Sequence, residues 1–357
     1  MPFEVQNELD LARLEMLAQG SQEGRNPPAP RSRSGQEPEV LNVADLLALD
    51  VAEPKMLIDG LLPTRGACLM FGTAKSGKTL LAVQAALAVA SGTSLFDHFR
   101  VLEAGPALVV EQDDAAGAAS VKTILQRSQI SVDSVPFFLS PRVPFDFGLQ
   151  LLEWLEGQIV ARTLHLVVLD SYTALRASRG PGIDIVKAEQ NDMTLLDDLA
   201  KRTGAAIIVV HHDSKGSAGM HWAQRAAGTF AMSAATEVQI HISRFGELDS
   251  MATERLVRIQ GRHLDGTELV LRFRKATLDY ECILEGDAAA LYPLMRQIQS
   301  TMGAQVFSPK ELSQLTGVSR STAHRQIDRL HRAGALTKRG FGEYMVTVLK
   351  DRDTGDR

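Results

Sequence analysis

The sequence predicts an α/β fold: a largely parallel sheet flanked by helices, followed by a small C-terminal domain of helices and a hairpin. Three observations carry this. From residue 40 to about 285, apolar runs of strand length alternate with helical patterns, as βαβ units around a parallel sheet require. The stretch "FGTAKSGKTL", Phe71 to Leu80, sets a glycine-containing turn between one such strand and one such helix. After residue 286 the pattern changes to short helices ended by glycines, then a tight hairpin.

The elements follow in order. Residues 3–19 carry Val5, Leu9, Ala12 and Met16 on one helical stripe. That helix either packs on its own domain or docks on a neighbouring subunit. Residues 21–39 hold Pro27, Pro28, Pro30 and Pro38 among Ser, Gly, Arg and Glu, the composition of a flexible linker. The apolar strand candidates are Ala67–Phe71, Ala107–Val110, Leu164–Leu169, Ala205–Val210 and Glu237–Ile242. Leu256–Gln260, Leu269–Phe273 and Tyr280–Leu284 follow with no helix between them, which predicts an antiparallel extension. The resulting domains are 1–20, an amphipathic helix; 21–39, a linker; 40–285, the α/β core; and 286–350, the small C-terminal domain.

Gly72, Gly77, Lys78 and Thr79 meet the pattern G-x-x-x-x-G-K-[ST]. Each residue type has a reason. Glycines let the backbone turn its N–H groups toward phosphate oxygens. Lys78 brings a charge to the β and γ phosphates, and Thr79 offers a hydroxyl to Mg²⁺. The strand "GACLMF" before the loop and the helix "TLLAVQAALAVA" after it supply the context such a loop needs. Gly72, Thr73, Ala74, Lys75, Ser76, Gly77, Lys78, Thr79 and Leu80 are therefore the expected nucleotide-binding residues, with ATP and Mg²⁺ as ligands.

A phosphate site of this kind needs carboxylates at neighbouring strand ends. "LHLVVLDSYTAL" is an apolar strand ending in Asp170, placed to hold Mg²⁺ with Thr79. "ALVVEQDD" ends in Glu111, Asp113 and Asp114, candidates to orient or deprotonate the attacking water. "AIIVVHHDSKG" ends in His211 and His212. A polar side chain there is placed to sense the γ-phosphate. No further ligand pair stands at zinc spacing from the two histidines.

Composition excludes other classes. The chain has 357 residues, 45% hydrophobic and 23% charged, with two cysteines, Cys68 and Cys282, both in apolar runs. This reads as buried thiols in a reducing compartment rather than a disulfide. No run approaches the ~20 apolar residues of a membrane span, and the acidic start "MPFEVQNELD" lacks a signal-peptide core. A cytoplasmic protein with no membrane partner is expected. Net charge is −5. It is unevenly spread: residues 305–340 carry +5, so the remainder carries −10. A basic module on an acidic body points to a polyanion partner.

The order "FGTAKSGKT", "LVVEQDD", "LVVLDSYTAL", "GAAIIVVHHDSKG", "QRAAGTFAMSAATEVQIHI" resembles the RecA-like ATPases of the plasmid RepA hexameric helicase type, over roughly residues 45–285. The resemblance implies a RecA-like core, a homohexameric ring around single-stranded DNA, and ATP bound between subunits. Lys78 and Thr79 match its phosphate-loop pair, Asp170 its Mg²⁺ acid and His212 its strand-four histidine. The family has Glu-Asp where this chain has Asp113-Asp114, with Glu111 two residues earlier, so the catalytic carboxylate is Glu111 or Asp113. Arg225 is the candidate to act across the interface, with Arg258 and Arg262 competing. Two glycine-containing basic loops, "RASRGPG" with Arg176 and Arg179 and "SKGSAGMHWAQR" with Lys215 and Trp222, leave the sheet edge that holds the ATP site and suit single-stranded DNA.

The C-terminal module has its own logic. Ser308 is an N-cap with Pro309 at the first helical position and Glu311 completing a capping box. Gly317 ends that helix, and Ser319 caps a second one running to about Ala333, with Ala323, Ile327 and Leu330 on one face. "ALTKRGFGEYMVTV" turns at Gly340–Gly342. This resembles a winged helix-turn-helix domain. The resemblance implies duplex contacts from Arg320, Thr322 and Arg325 at the start of the recognition helix and from Lys338 on the wing. The same fold also serves protein contacts.

The expected function is an ATP-hydrolysing DNA-binding motor, a ring-forming helicase or helicase-like ATPase in replication or repair. The alternatives are an ATP-switched DNA-binding regulator that does not unwind, and a RecA-like ATPase without DNA.

Overall fold

The structure is a computed structural model. It describes residues 40–48, 55–113, 116–128, 130, 135–176, 182–213, 230–244, 253–303 and 305–347. The helix expected at 3–19, the linker at 21–39 and the site candidates Asp114, Arg179, Lys215, Trp222 and Arg225 lie outside the described residues.

The described chain begins with α1 (Val43–Ala48) and a small hairpin, β1 (Met56–Ile58) and β2 (Leu62–Pro63). The core then alternates. In order come β3 (Gly66–Gly72), α2 (Lys78–Ser91), β4 (Ala107–Glu111), α3 (Gly117–Arg127), β5 (Phe137–Ser140) and α4 (Leu149–Arg162). Next are β6 (Leu166–Asp170), α5 (Tyr172–Leu175), α6 (Ile185–Thr203), β7 (Ala206–His212), α7 (Phe230–Ala234) and β8 (Val238–Arg244). Three strands follow, β9 (Glu254–Gly261), β10 (Leu264–Arg274) and β11 (Asp279–Glu285).

These build a nine-stranded sheet in the order β11-β10-β9-β8-β3-β7-β6-β4-β5. From β5 to β8 every pairing is parallel, and from β8 to β11 every pairing is antiparallel. The mixed α/β class and the antiparallel extension are as the sequence predicts. The edge strand β5 was not among the predicted strands. Its apolar run is only Phe137, Phe138 and Leu139, next to Pro136, and Phe138 is open to solvent, so it is too short to announce a strand.

The inner strands are buried on both faces. Ala67, Leu69 and Phe71 of β3 face one core, and Cys68 and Met70 face the other. α2 fills the first face of the second core with Leu81, Ala85, Ala86 and Val89, while α4 and α6 cover the opposite side with Leu155, Ile159, Met193 and Leu196. α2 is apolar all round and correspondingly buried. Gly92 ends it in the left-handed conformation, its N–H donating to the Ala88 carbonyl at 2.8 Å.

After β11 come α8 (Asp287–Ala290), α9 (Tyr292–Met302), α10 (Pro309–Thr316), α11 (Arg320–Arg332) and the hairpin β12 (Leu336–Gly340) to β13 (Glu343–Val346). The Ser308–Glu311 capping box is present in full, and Ser319 accepts from the Thr322 N–H at 3.2 Å. Ala323, Ile327 and Leu330 are buried together, as their spacing predicts. This third core is not closed by the helices alone: Val270 of β10 and Leu284 of β11 belong to it. Leu269 and Leu271, the neighbours of Val270, face the α/β core instead. One strand thus walls two cores. Among the described residues no helix is long and apolar enough to cross a membrane.

Candidate nucleotide site

The parallel strands β3, β4, β6 and β7 end at one edge of the sheet, where ligands of open α/β sheets bind. The loop from Gly72 to Gly77 leaves β3 there and feeds α2. Gly77 has φ 103°, and a Cβ on it would overlap the Tyr280 hydroxyl. Glycine is therefore required twice, by conformation and by approach. No side chain caps α2, so its first N–H groups remain available to an anion.

Lys78 is almost buried. Its ammonium donates to the carbonyls of Gly72 at 3.0 Å and Thr73 at 2.9 Å and stands 3.2 Å from His212 Nδ1. Burial pushes its pKa down, against the pull of Asp170, Asp213 and Asp113. A bound phosphate would add to the pull of these carboxylates and favour the charged ammonium.

Asp170 ends β6, paired in register with Glu111 of β4. Burial raises its pKa, opposed by a hydrogen bond from Thr79 and by Lys78 and His212. Its Oδ2 is buried without a hydrogen-bond partner. A buried carboxylate oxygen with no partner, beside a threonine hydroxyl, is a donor set for a hard cation such as Mg²⁺.

Two carboxylates compete at the end of β4, Glu111 as its last residue and Asp113 two residues beyond. Glu111 is buried, and its Oε1 accepts from the Asp113 N–H at 3.1 Å. A Cβ on Gly117 would overlap its Cγ, so the glycine opening α3 makes room for it. Asp113 is half exposed and lies 3.7 Å from His212 Nε2. It acts electrostatically on both Lys78 and Asp170. The structure thus brings together Lys78, Thr79, Asp170, Asp113 and His212, with Glu111 behind Asp113.

The histidine pair divides. His211 is buried against Tyr172 and bonds Thr173 at 3.1 Å, while His212 faces the site. Arg176, at the start of one expected DNA loop, pairs with buried Glu189 at 2.7 Å. Arg258 and Arg262 have partners within the chain: Glu268 at 2.7 Å for the first, the Ala234 carbonyl at 2.8 Å and Glu237 at 3.7 Å for the second.

Sequence reasoning missed four residues. Asp213 follows His212, with its N–H on the Gly72 carbonyl at 3.1 Å. Arg244 donates to the Lys75 carbonyl at 2.7 Å and Arg255 to the Ser76 carbonyl at 2.7 Å. Tyr280 packs its hydroxyl on Gly77 and bonds Arg255. The last three lie on β8, β9 and β11, far from the loop in sequence, and no local motif marks them.

In the C-terminal domain, Arg320, Arg325 and Lys338 are exposed and Thr322 is half-buried, bonded to the Ser319 cap. Arg320 to Arg325 form the first two turns of α11.

The AAA domain family model matches residues 30–218, just over half of the chain, and the IclR helix-turn-helix domain model matches residues 294–340. No curated protein matches. Among similar solved structures, an ATPase domain aligns at 10% identity, covering 62% of this chain and 85% of its own, with a TM-score of 0.47. The RadB recombinase aligns at 14% identity, covering 62% of this chain and 91% of its own, with a TM-score of 0.43.

Proposed function

The chain belongs to the AAA domain family, and from that membership we propose that it is an ATP-hydrolysing, DNA-binding motor: a ring-forming RepA-type helicase or helicase-like ATPase in DNA replication or repair. The supporting observation is the convergence of Lys78, Thr79, Asp170, Asp113 and His212 at the ends of four neighbouring strands. Residues 40–285 are the ATPase unit and 286–350 a winged helix-turn-helix unit, preceded by the helix 1–20 and the linker 21–39.

In this reading residues 72–80 cradle the phosphates, and Thr79 and Asp170 hold Mg²⁺. Held by these two residues, Mg²⁺ would supply positive charge to offset negative charge developing on the transferred phosphoryl group. Lys78 reaches the same oxygens from its perch on the loop carbonyls. Asp113 orients the attacking water, because it is the carboxylate that faces the site. Glu111 is the positioning residue behind it, holding the Asp113 backbone. His212 reports the γ-phosphate to β7. Arg225 acts across the subunit interface, a role for which Arg258 and Arg262 are poorly suited by their partners in the chain. Arg179 and Lys215 are assigned to single-stranded DNA in the channel of a homohexamer, and Arg176 joins them if DNA displaces its ion pair with Glu189. Arg320, Thr322, Arg325 and Lys338 meet duplex DNA.

The test is the steady-state ATPase rate with and without single-stranded DNA, with Lys78→Ala as control. Stimulation that vanishes in the variant supports a motor and makes unwinding the next assay. A rate unmoved by single strands sinks the helicase reading.

A second reading has its own observation. The exposed Arg320 and Arg325 at the start of a capped second helix suit base reading in a major groove. An ATP-switched regulator would bind one duplex sequence tightly and unwind nothing.

A further inference from the structure

β8 and β9 set two arginines directly opposite each other, Arg244 and Arg255. Like charges at opposed positions destabilise an antiparallel pair, so the juxtaposition calls for a compensating contact. Both guanidiniums find it on the phosphate loop, on the consecutive carbonyls of Lys75 and Ser76. Arg255 is buried, and it also bonds the Tyr280 hydroxyl. The Tyr280 backbone is tied in turn to α2: its N–H donates to Gln84 Oε1 at 2.8 Å and its carbonyl accepts from Gln84 Nε2 at 2.7 Å. The loop and the helix it feeds are thus clamped from outside by the antiparallel extension.

The residue before Arg255 leads elsewhere. Glu254 is buried and accepts a hydrogen bond from Tyr292, at the start of α9, with Arg296 of the same helix 3.7 Å away. α9 belongs to the third core with α10 and α11. Glu254 and Arg255 are adjacent on one strand, so their side chains point to opposite faces. One grips the phosphate loop and the other the helix that carries the DNA-binding pair.

We propose that Arg255 is a positioning residue for the phosphate loop, and that the Glu254–Arg255 step of β9 couples nucleotide occupancy of that loop to DNA binding by the C-terminal helix-turn-helix. This rests on the reading of the two sites given above. A loop whose carbonyls are held by Arg255 has one preferred backbone path. A phosphate that draws the loop N–H groups inward shifts those carbonyls, and the strand that holds them also seats Tyr292. Coupling of this kind is reciprocal: each ligand changes the other's affinity by the same factor.

The test uses the full chain, a fluorescent ATP analogue and a labelled duplex. In the wild type, a saturating non-hydrolysable ATP analogue changes duplex affinity by about fivefold or more, and duplex changes nucleotide affinity by the same factor. Glu254→Gln keeps each ligand's affinity alone within about twofold and brings the coupling factor to about one. Arg255→Ala weakens nucleotide binding about tenfold, and Arg255→Lys, which keeps one charged donor, recovers part of it. Should Arg255→Ala fail to fold, Arg255→Lys and Glu254→Gln still decide. A wild type that binds both ligands with no coupling overturns the proposal, and so does a Glu254→Gln variant that retains full coupling. A wild type that binds no nucleotide or no duplex overturns the underlying reading and the proposal together.

Discussion

Asp170 carries its charge where the fold makes charge costly. Burial raises its pKa above the ordinary carboxylate value, and Asp113 adds to the effect. A folded pKa above the unfolded one means that the native state binds more protons than the unfolded chain. The contribution of Asp170 to stability is therefore present at low pH and lost as pH rises through the raised folded value. Burial thus disfavours the ionised form of Asp170 in the ligand-free protein. Asp170→Asn should raise the unfolding midpoint of the ligand-free protein while abolishing Mg²⁺-dependent hydrolysis, measured by thermal unfolding and phosphate release. A midpoint that falls would show that the carboxylate is stabilised in ways burial does not reveal. The two carboxylates at the end of β4 give a second test. Asp113→Asn should lower kcat about 10²-fold or more with nucleotide affinity kept, as expected for a general base. Glu111→Gln should lower kcat less, and should disturb the backbone that Asp113 stands on. The reverse ranking would make Glu111 the base. At this scale the placement of Lys78, Asp170 and His212 at one edge of the sheet was legible, because each is fixed to a strand end or a loop pattern. Arg255 and Tyr280 were not, because their roles exist only once β9 and β11 fold back beside β3.

Elements were most legible where their ends are marked chemically. Ser308, Pro309, Glu311, Gly317 and Ser319 frame α10 and α11, and every one of these signals is realised in the backbone. Ser308→Ala removes the hydroxyl that accepts from the Glu311 N–H and should cost about 1 kcal/mol, read from denaturant unfolding. The Glu311 carboxyl is held below its usual pKa by the bonds to Ser308. Its share of the cap is therefore present above the ordinary carboxylate value and lost as pH falls through the lowered one. The loop that opens α2 is legible for a different reason, since its pattern encodes a backbone path. Gly77→Ala forces a Cβ into the left-handed region and onto the Tyr280 hydroxyl, so it should abolish nucleotide binding in a filter or fluorescence assay. If Tyr280→Phe restored binding to that variant, the collision rather than the backbone would be the cause. β5 was not legible, because a short edge strand without a buried run carries no period to read.

The whole molecule divides its charge as it divides its labour. The parallel sheet and its helices were legible from alternation alone, but the sharing of β10 between two cores was not. Val270 reads like its apolar neighbours Leu269 and Leu271, and only the pairing of β9, β10 and β11 decides which side each one faces. Charge, by contrast, needs no fold to be counted. Residues 305–340 carry +5 against −10 elsewhere, so a polyanion is attracted by one end of the molecule and repelled by the bulk of it. Duplex binding must then depend steeply on salt. Arg320, Arg325, Lys338 and Arg339 are exposed on α11 and β12. If all four neutralise phosphates, the slope of log K against log salt approaches about −4, and Arg325→Ala should make it shallower by about one. If Arg325 reads a base edge instead, the same variant loses about 1–3 kcal/mol on the preferred sequence, relaxes specificity there and leaves the slope unchanged. Titrating duplex at several salt concentrations, with wild type and Arg325→Ala in parallel, separates these outcomes. The first suits a motor that holds DNA without regard to sequence. The second suits a regulator that chooses its site, and would move the balance between the two functional readings.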